Sequence, residues 1–123
     1  MALASEMMQG GVSAGAARAI NGFVNDAVSA AGSSISDATA LVASHNVVTT
    51  VAASSGVLLQ NTEIGDEVLV YNATGTNALT IYPPTSSATI NQLSAGVGML
   101  LSPYTAVRLK KTTATTWHGW LSA

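Results

Sequence analysis

From Val47 to Trp117 the chain is a succession of short β-branched runs, each cut by Gly, Asn, Pro or Ser before it reaches helical length. Runs of this kind read as strands, because branched side chains fit a pleated surface and the intervening residues supply turn geometry. Candidate strands cover residues 38–43, 47–52, 56–60, 67–72, 79–82, 88–91, 98–101, 106–110 and 116–121. In 67–72, Val68 and Val70 alternate with Leu69 and Tyr71, so both faces of that strand are expected to be at least partly covered. Residues 73–77 read as a hairpin loop returning the chain into 79–82, which would bring Tyr71 and Tyr82 together. Pro83 and Pro84 stop that strand, since neither can donate to a ladder. The turn-separated spacing predicts a mainly β fold, an antiparallel β-sandwich or barrel of about eight short strands.

The periodicity differs before the small-residue segment at 32–36, which divides the chain into an N-terminal arm, 1–35, and a β domain, 36–123. Ala16, Ala19, Ile20, Phe23, Val24, Ala27, Val28 and Ala31 recur at helical spacing, with Ser13 placed as an N-cap. Gly15 and Gly22 each weaken such a helix by roughly 1 kcal/mol relative to Ala, so it needs a surface to lie against. That surface is either the chain's own β core, or a second copy or a larger shell.

Only 8% of the residues are charged, against about 25% in an ordinary soluble domain, and the net charge is −2. A surface so poor in charge is covered by Ser, Thr, Asn and Ala, or by partners. The four cations, Arg18, Arg108, Lys110 and Lys111, are too few to neutralise many phosphates, which argues against nucleic acid. No apolar run reaches the ~20 residues of a membrane helix, and the first residues carry no secretory signal pattern. Cysteine is absent, which removes disulfides, thiolate metal sites and thiol nucleophiles together.

No motif carries enzyme chemistry. A Gly-x-Ser-x-Gly elbow and phosphate-cradling glycine signatures are missing, and His45 and His118 stand far apart without a supporting ligand pattern. Glu63, Asp66 and Glu67 form the sole acidic cluster; oxygen ligands suit calcium, but the spacing is not that of an EF-hand, and a solvated turn explains it better. Gly65-Asp66 reads as that turn, and Asn72 and Asn77 as residues whose amides satisfy backbone groups at a chain reversal. No cofactor, metal ligand set or catalytic residue is assigned. Trp117 and Trp120, three positions apart, fall on opposite faces of a strand, so at least one meets solvent, a neighbouring subunit or a sugar. Arg108 and Lys110 share a face, as a solvated edge or as a contact for an acidic patch.

The order Gly56-Val57-Leu58-Leu59, Gly65-Asp66-Glu67-Val68, Val70-Tyr71-Asn72, Asn77-Ala78-Leu79, Ile81-Tyr82-Pro83-Pro84, Ile90-Asn91 and Thr116-Trp117 resembles small virion proteins of tailed bacteriophages and prophages. The resemblance covers about the C-terminal two-thirds of the chain. It implies a structural role as a head decoration (cement) or head-fibre protein, commonly trimeric. The expected function is therefore capsid decoration: a homotrimer on the capsid exterior that stabilises the head by binding the major capsid protein. The alternatives are a fibre or tail-associated module recognising host surface carbohydrate, or a head-to-tail adaptor. The self- or capsid-contact candidates are Ile20, Phe23, Val24, Ala27, Val28, Trp117 and Trp120.

Overall fold

The computed structural model describes residues 24–122. Ten strands form: β1 (Val24–Ser29), β2 (Thr39–Ala40), β3 (His45–Thr50), β4 (Gly56–Leu58), β5 (Glu67–Asn72), β6 (Leu79–Tyr82), β7 (Thr89–Ile90), β8 (Met99–Leu101), β9 (Ala106–Lys111) and β10 (Thr116–Leu121). They lie in two sheets, one of six strands in the order β1-β3-β5-β9-β10-β7 and one of four in the order β2-β4-β6-β8. Among the described residues there is no helix.

The fold is a β-solenoid, and the expectation of an antiparallel sandwich or barrel with a helical arm is wrong. β1, β3 and β5 run parallel, as do β2, β4 and β6. Each parallel pair needs a long crossover, and here the crossover of one sheet is built from the strand of the other. The chain thus winds through three stacked coils, with paired residues 18 (Thr39 to Val57) to 24 (His45 to Leu69) positions apart, close to the length at which repeat architectures recur. Winding then reverses. β8 pairs antiparallel with β6 and β9 with β5, so the fourth layer runs against the first three. β9 turns directly into β10, and the short β7 closes that end of the large sheet beside β10.

The apolar interior lies between the two sheets. Val48, Val70, Val107 and Leu109 from the large sheet meet Val57, Leu79, Ile81 and Leu101 from the small one, with Trp117 and Ile90 towards the closed end. Alternation along β5 puts Val68 and Val70 inside and leaves Leu69 half-buried and Tyr71 exposed.

The helical spacing of 24–31 does not make a helix; the segment is strand β1 with a bulge. β1 pairs Asn25 with Asn46 and Val28 with Val48, so three steps along β1 match two along β3. The apolar stripe is not the buried face of this segment: Val24, Ala27 and Ala31 are exposed, while Val28 and Ala30, two positions apart as in a strand, are buried. The remaining residues assigned to the helix, 13–23, including Ile20 and Phe23, lie outside the described residues.

Corners hold the coils in register. The segment 73–77 is such a corner, not a hairpin loop: β5 and β6 belong to different sheets, so Tyr71 and Tyr82 are not cross-strand partners. Asn72 is fully buried there, and its Nδ2 donates to the carbonyls of Asn77 (2.9 Å) and Leu101 (3.1 Å). Its Oδ1 accepts from the Thr74 amide (3.1 Å) and hydroxyl (2.7 Å), while Asn77 Nδ2 donates to the Val51 carbonyl (2.9 Å) of the coil below. At the first corner Asp37 Oδ1 accepts from the Ser33 amide, the Ser34 amide and the Ser34 hydroxyl at 2.9–3.0 Å. These bonds favour the charged form and hold the Asp37 carboxyl below the usual carboxylate range.

Two further fastenings follow from side-chain size. Tyr82 lies across Gly56 and Gly98, where an added Cβ would come within 2.6 Å and 3.0 Å of its ring, and its hydroxyl donates to the Ser33 carbonyl (2.6 Å). Lys111 is 5% exposed, and its ammonium donates to Asn61 Oδ1 (2.9 Å) and the Thr62 carbonyl, tying the loop before β5 to the end of β9. In that loop Gly65 takes a φ of 98° and Asp66 Oδ2 accepts from the Glu63 amide, as the turn chemistry of this dipeptide predicts.

Candidate binding face

The outward side chains of the large sheet form the most chemically varied surface of the described residues. Period two along β9 buries Val107, Leu109 and Lys111 and turns Arg108 and Lys110 outward; on β10 it buries Trp117 and turns His118 and Trp120 outward. Register then fixes the neighbours. Leu69, Arg108 and Trp120 stand side by side across β5, β9 and β10, and Glu67, Lys110 and His118 form the adjoining row. Directly opposed residues have Cβ atoms about 4.5–5.5 Å apart, so each row is in mutual contact range. Lys110 Nζ lies 3.5 Å from Glu67 Oε1, an exposed pair contributing about 0–1 kcal/mol. Two shallow open grooves of about 260 and 330 Å³ meet at Trp120 and Arg108, one continuing over Leu69, Ala106 and Leu121 and the other over Glu67 and Lys110.

The residues singled out in the sequence are distributed unevenly about this face. Trp120 is 54% exposed on it, whereas Trp117 is wholly buried in the core. Val24 is 67% exposed and pairs with His45, itself the partner of Leu69, so Val24 and Trp120 mark opposite ends of one cross-strand line. At 4.7–4.9 Å per strand these ends are about 19 Å apart. Ala27 is exposed, while Val28 is buried among the core residues. Ile20 and Phe23 lie outside the described residues. The structure does not gather these candidates into one patch.

Among the described residues neither imidazole is paired with a carboxylate. His118 Nδ1 shares a hydrogen bond with the Thr112 hydroxyl (2.9 Å) and His45 Nδ1 with the Ser44 hydroxyl (3.3 Å). The acidic cluster is likewise dispersed: Asp66 serves its own turn and Glu67 faces Lys110. Among the described residues no three His, Asp or Glu side chains are grouped to hold a metal ion.

The pairing of Arg108 with Trp120 escaped the sequence reading, although a signal for it was present. Residues 112–115 form the turn between β9 and β10, and counting outward from it sets Lys111 opposite Trp117 and Arg108 opposite Trp120. Treating the two runs as one hairpin would have placed the cation beside the indole. Searches against protein-family profiles, curated proteins and solved structures find no match to this chain.

Proposed function

We propose that the chain is a non-catalytic structural subunit of a virion, a decoration protein acting as a homotrimer that binds the major capsid protein on the outside of the head. The virion context rests on the motif order of residues 56–117. The observation that supports an assembly role is the combination of a charge-poor chain with large apolar side chains left in solvent: Val24, Val42, Ile64, Leu100 and Tyr104 are each more than half exposed. Burying such surface at about 25 cal/mol per Å² would drive association without steering charges. A solenoid locked at its corners suits this task, because a rigid subunit loses little conformational freedom on docking.

The test is to add purified protein to expanded empty heads and to count copies per particle by quantitative gel densitometry of virions. Decoration predicts saturable binding, a trimer in sedimentation and copies in the hundreds. A few copies per particle would instead indicate an adaptor ring, and a monomer missing from purified particles would refute the proposal.

A further inference from the structure

The chain is net negative, yet every Lys or Arg side chain that reaches solvent among the described residues lies on the outer face of the large sheet. These are Arg108 and Lys110; Lys111 is buried and bonded to Asn61 and Thr62. Lys110 is paired with Glu67, but Arg108 makes no hydrogen bond or ion pair within the described residues. Among the described residues its guanidinium is thus unpaired, beside the exposed indole of Trp120 at the junction of the two open grooves. A guanidinium offers a planar fork of donors matched to a carboxylate or phosphate, and an indole offers a flat apolar plate.

We propose that this face binds an anionic saccharide, with the C–H face of a sugar ring on Trp120 and its carboxylate or phosphate on Arg108. Lys110 and Glu67, one step along the sheet, place a donor and an acceptor where ring hydroxyls would fall. Open, shallow grooves suit a flat ring lying on the sheet better than a side chain inserted into a pocket. Two cations are too few to track a nucleic acid backbone. The site is independent of whether the protein decorates a capsid, and neither proposal falls with the other.

The test is calorimetry with four probes: oligogalacturonate, which carries carboxylates; poly(N-acetylglucosamine 1-phosphate), which carries phosphodiesters between sugar rings; neutral dextran; and oligothymidylate, a phosphodiester without pyranose rings. Acrylamide quenching of tryptophan fluorescence accompanies it, since Trp117 is buried and Trp120 alone is open to the quencher. At least one anionic saccharide should bind and shield Trp120, with dextran roughly tenfold weaker or silent; which anionic saccharide binds tells carboxylate from phosphate. R108Q should weaken binding by roughly tenfold or more and W120A should remove it, both with an unchanged melting temperature. If W120A does not fold, W120F, which keeps a ring, should retain binding while R108Q loses it. The proposal is overturned if neither anionic saccharide binds, if dextran or oligothymidylate binds as well, or if R108Q and W120A dissociate a saccharide-free oligomer, which would make the face a contact between copies.

Discussion

Asn72 offers the sharpest test of how the coils are held in register. Its carboxamide donates to Asn77 and Leu101 and accepts twice from Thr74, inside a wholly buried corner that touches both sheets. Each such bond contributes about 0.5–1.5 kcal/mol net, and Asn72→Ala also leaves the Leu101 carbonyl and the Thr74 amide without their partner. The expected loss is about 3–4 kcal/mol, a large share of the roughly 5–15 kcal/mol that stabilises a domain. With a urea slope of about 2 kcal/mol per M, the unfolding midpoint should fall by roughly 1.5–2 M. Asn46 supplies an internal reference. Its Nδ2 donates to the carbonyls of Ala43 (2.9 Å) and Leu69 (3.3 Å), but its buried Oδ1 has no partner among the described residues, so Asn46→Ala should cost clearly less than Asn72→Ala. A midpoint for Asn72→Ala within about 0.3 M of the parent at unchanged slope would show that the Asn72 corner does not hold the coils in register, as would an Asn46→Ala variant that is the less stable of the two.

Three further predictions test other fastenings. Asp37→Asn should flatten the acid limb of the stability curve: the lowered Asp37 pKa contributes stability that is complete above the unfolded value and lost as pH falls through the folded one, so thermal melts of the parent should decline below about pH 4 more steeply than those of the variant. Asn91→Ala should promote association, because Asn91 Oδ1 accepts the Gly119 amide (2.8 Å) and so blocks the edge of β10 that β7 is too short to cover; light scattering on aged samples should show growth in the variant alone. Gly56→Ala should destabilise by about 1–3 kcal/mol, since its Cβ would meet the Tyr82 ring at 2.6 Å and the Thr80 carbonyl at 2.9 Å; a melting temperature equal to the parent's would remove Tyr82 from the account.

Strands were legible where their signal is local. The runs 67–72, 79–82 and 116–121 coincide with β5, β6 and β10, because β-branched and aromatic content and flanking turn residues are properties of the segment itself. The turn at Gly65-Asp66 and the carboxamide roles of Asn72 and Asn77 were readable for the same reason. Partner and direction were not, since Val48 looks the same whether its neighbour Asn72 runs parallel or antiparallel to it. The recurrence that distinguishes a solenoid is faint here: only three coils wind the same way, their lengths differ, and the first strand carries apolar residues at helical spacing of which only Val28 is buried. At the binding face, Trp120 and Arg108 were both conspicuous as residues, but their adjacency is a consequence of register.

The reversal of winding bears on what kind of assembly such a subunit can make. Parallel coils alone leave an unpaired edge at each end, and open-ended head-to-tail stacking of copies requires both edges to accept a strand. At one end β8 and β9 run back against β6 and β5, the β9–β10 hairpin follows, and β7 with Asn91 occupies the last edge. At the other end β1 buries only Val28 and β2 is two residues long, so among the described residues that edge leaves apolar surface exposed, including Val24. Among the described residues the two ends of the large sheet thus differ, one capped by β7 and Asn91 and the other ending on β1, so the large sheet does not offer matching edges for a single end-to-end contact repeated into a fibre. Within the proposed virion role this favours a closed ring of copies that meet through their flanks or open ends, and it sets the homotrimer above an end-to-end stacked fibre. Asn91→Ala tests the step directly: with the blocked edge released, the variant should gain filaments that the parent lacks, and a variant that stays at the parent's oligomeric state would show that the β10 edge is not what limits growth.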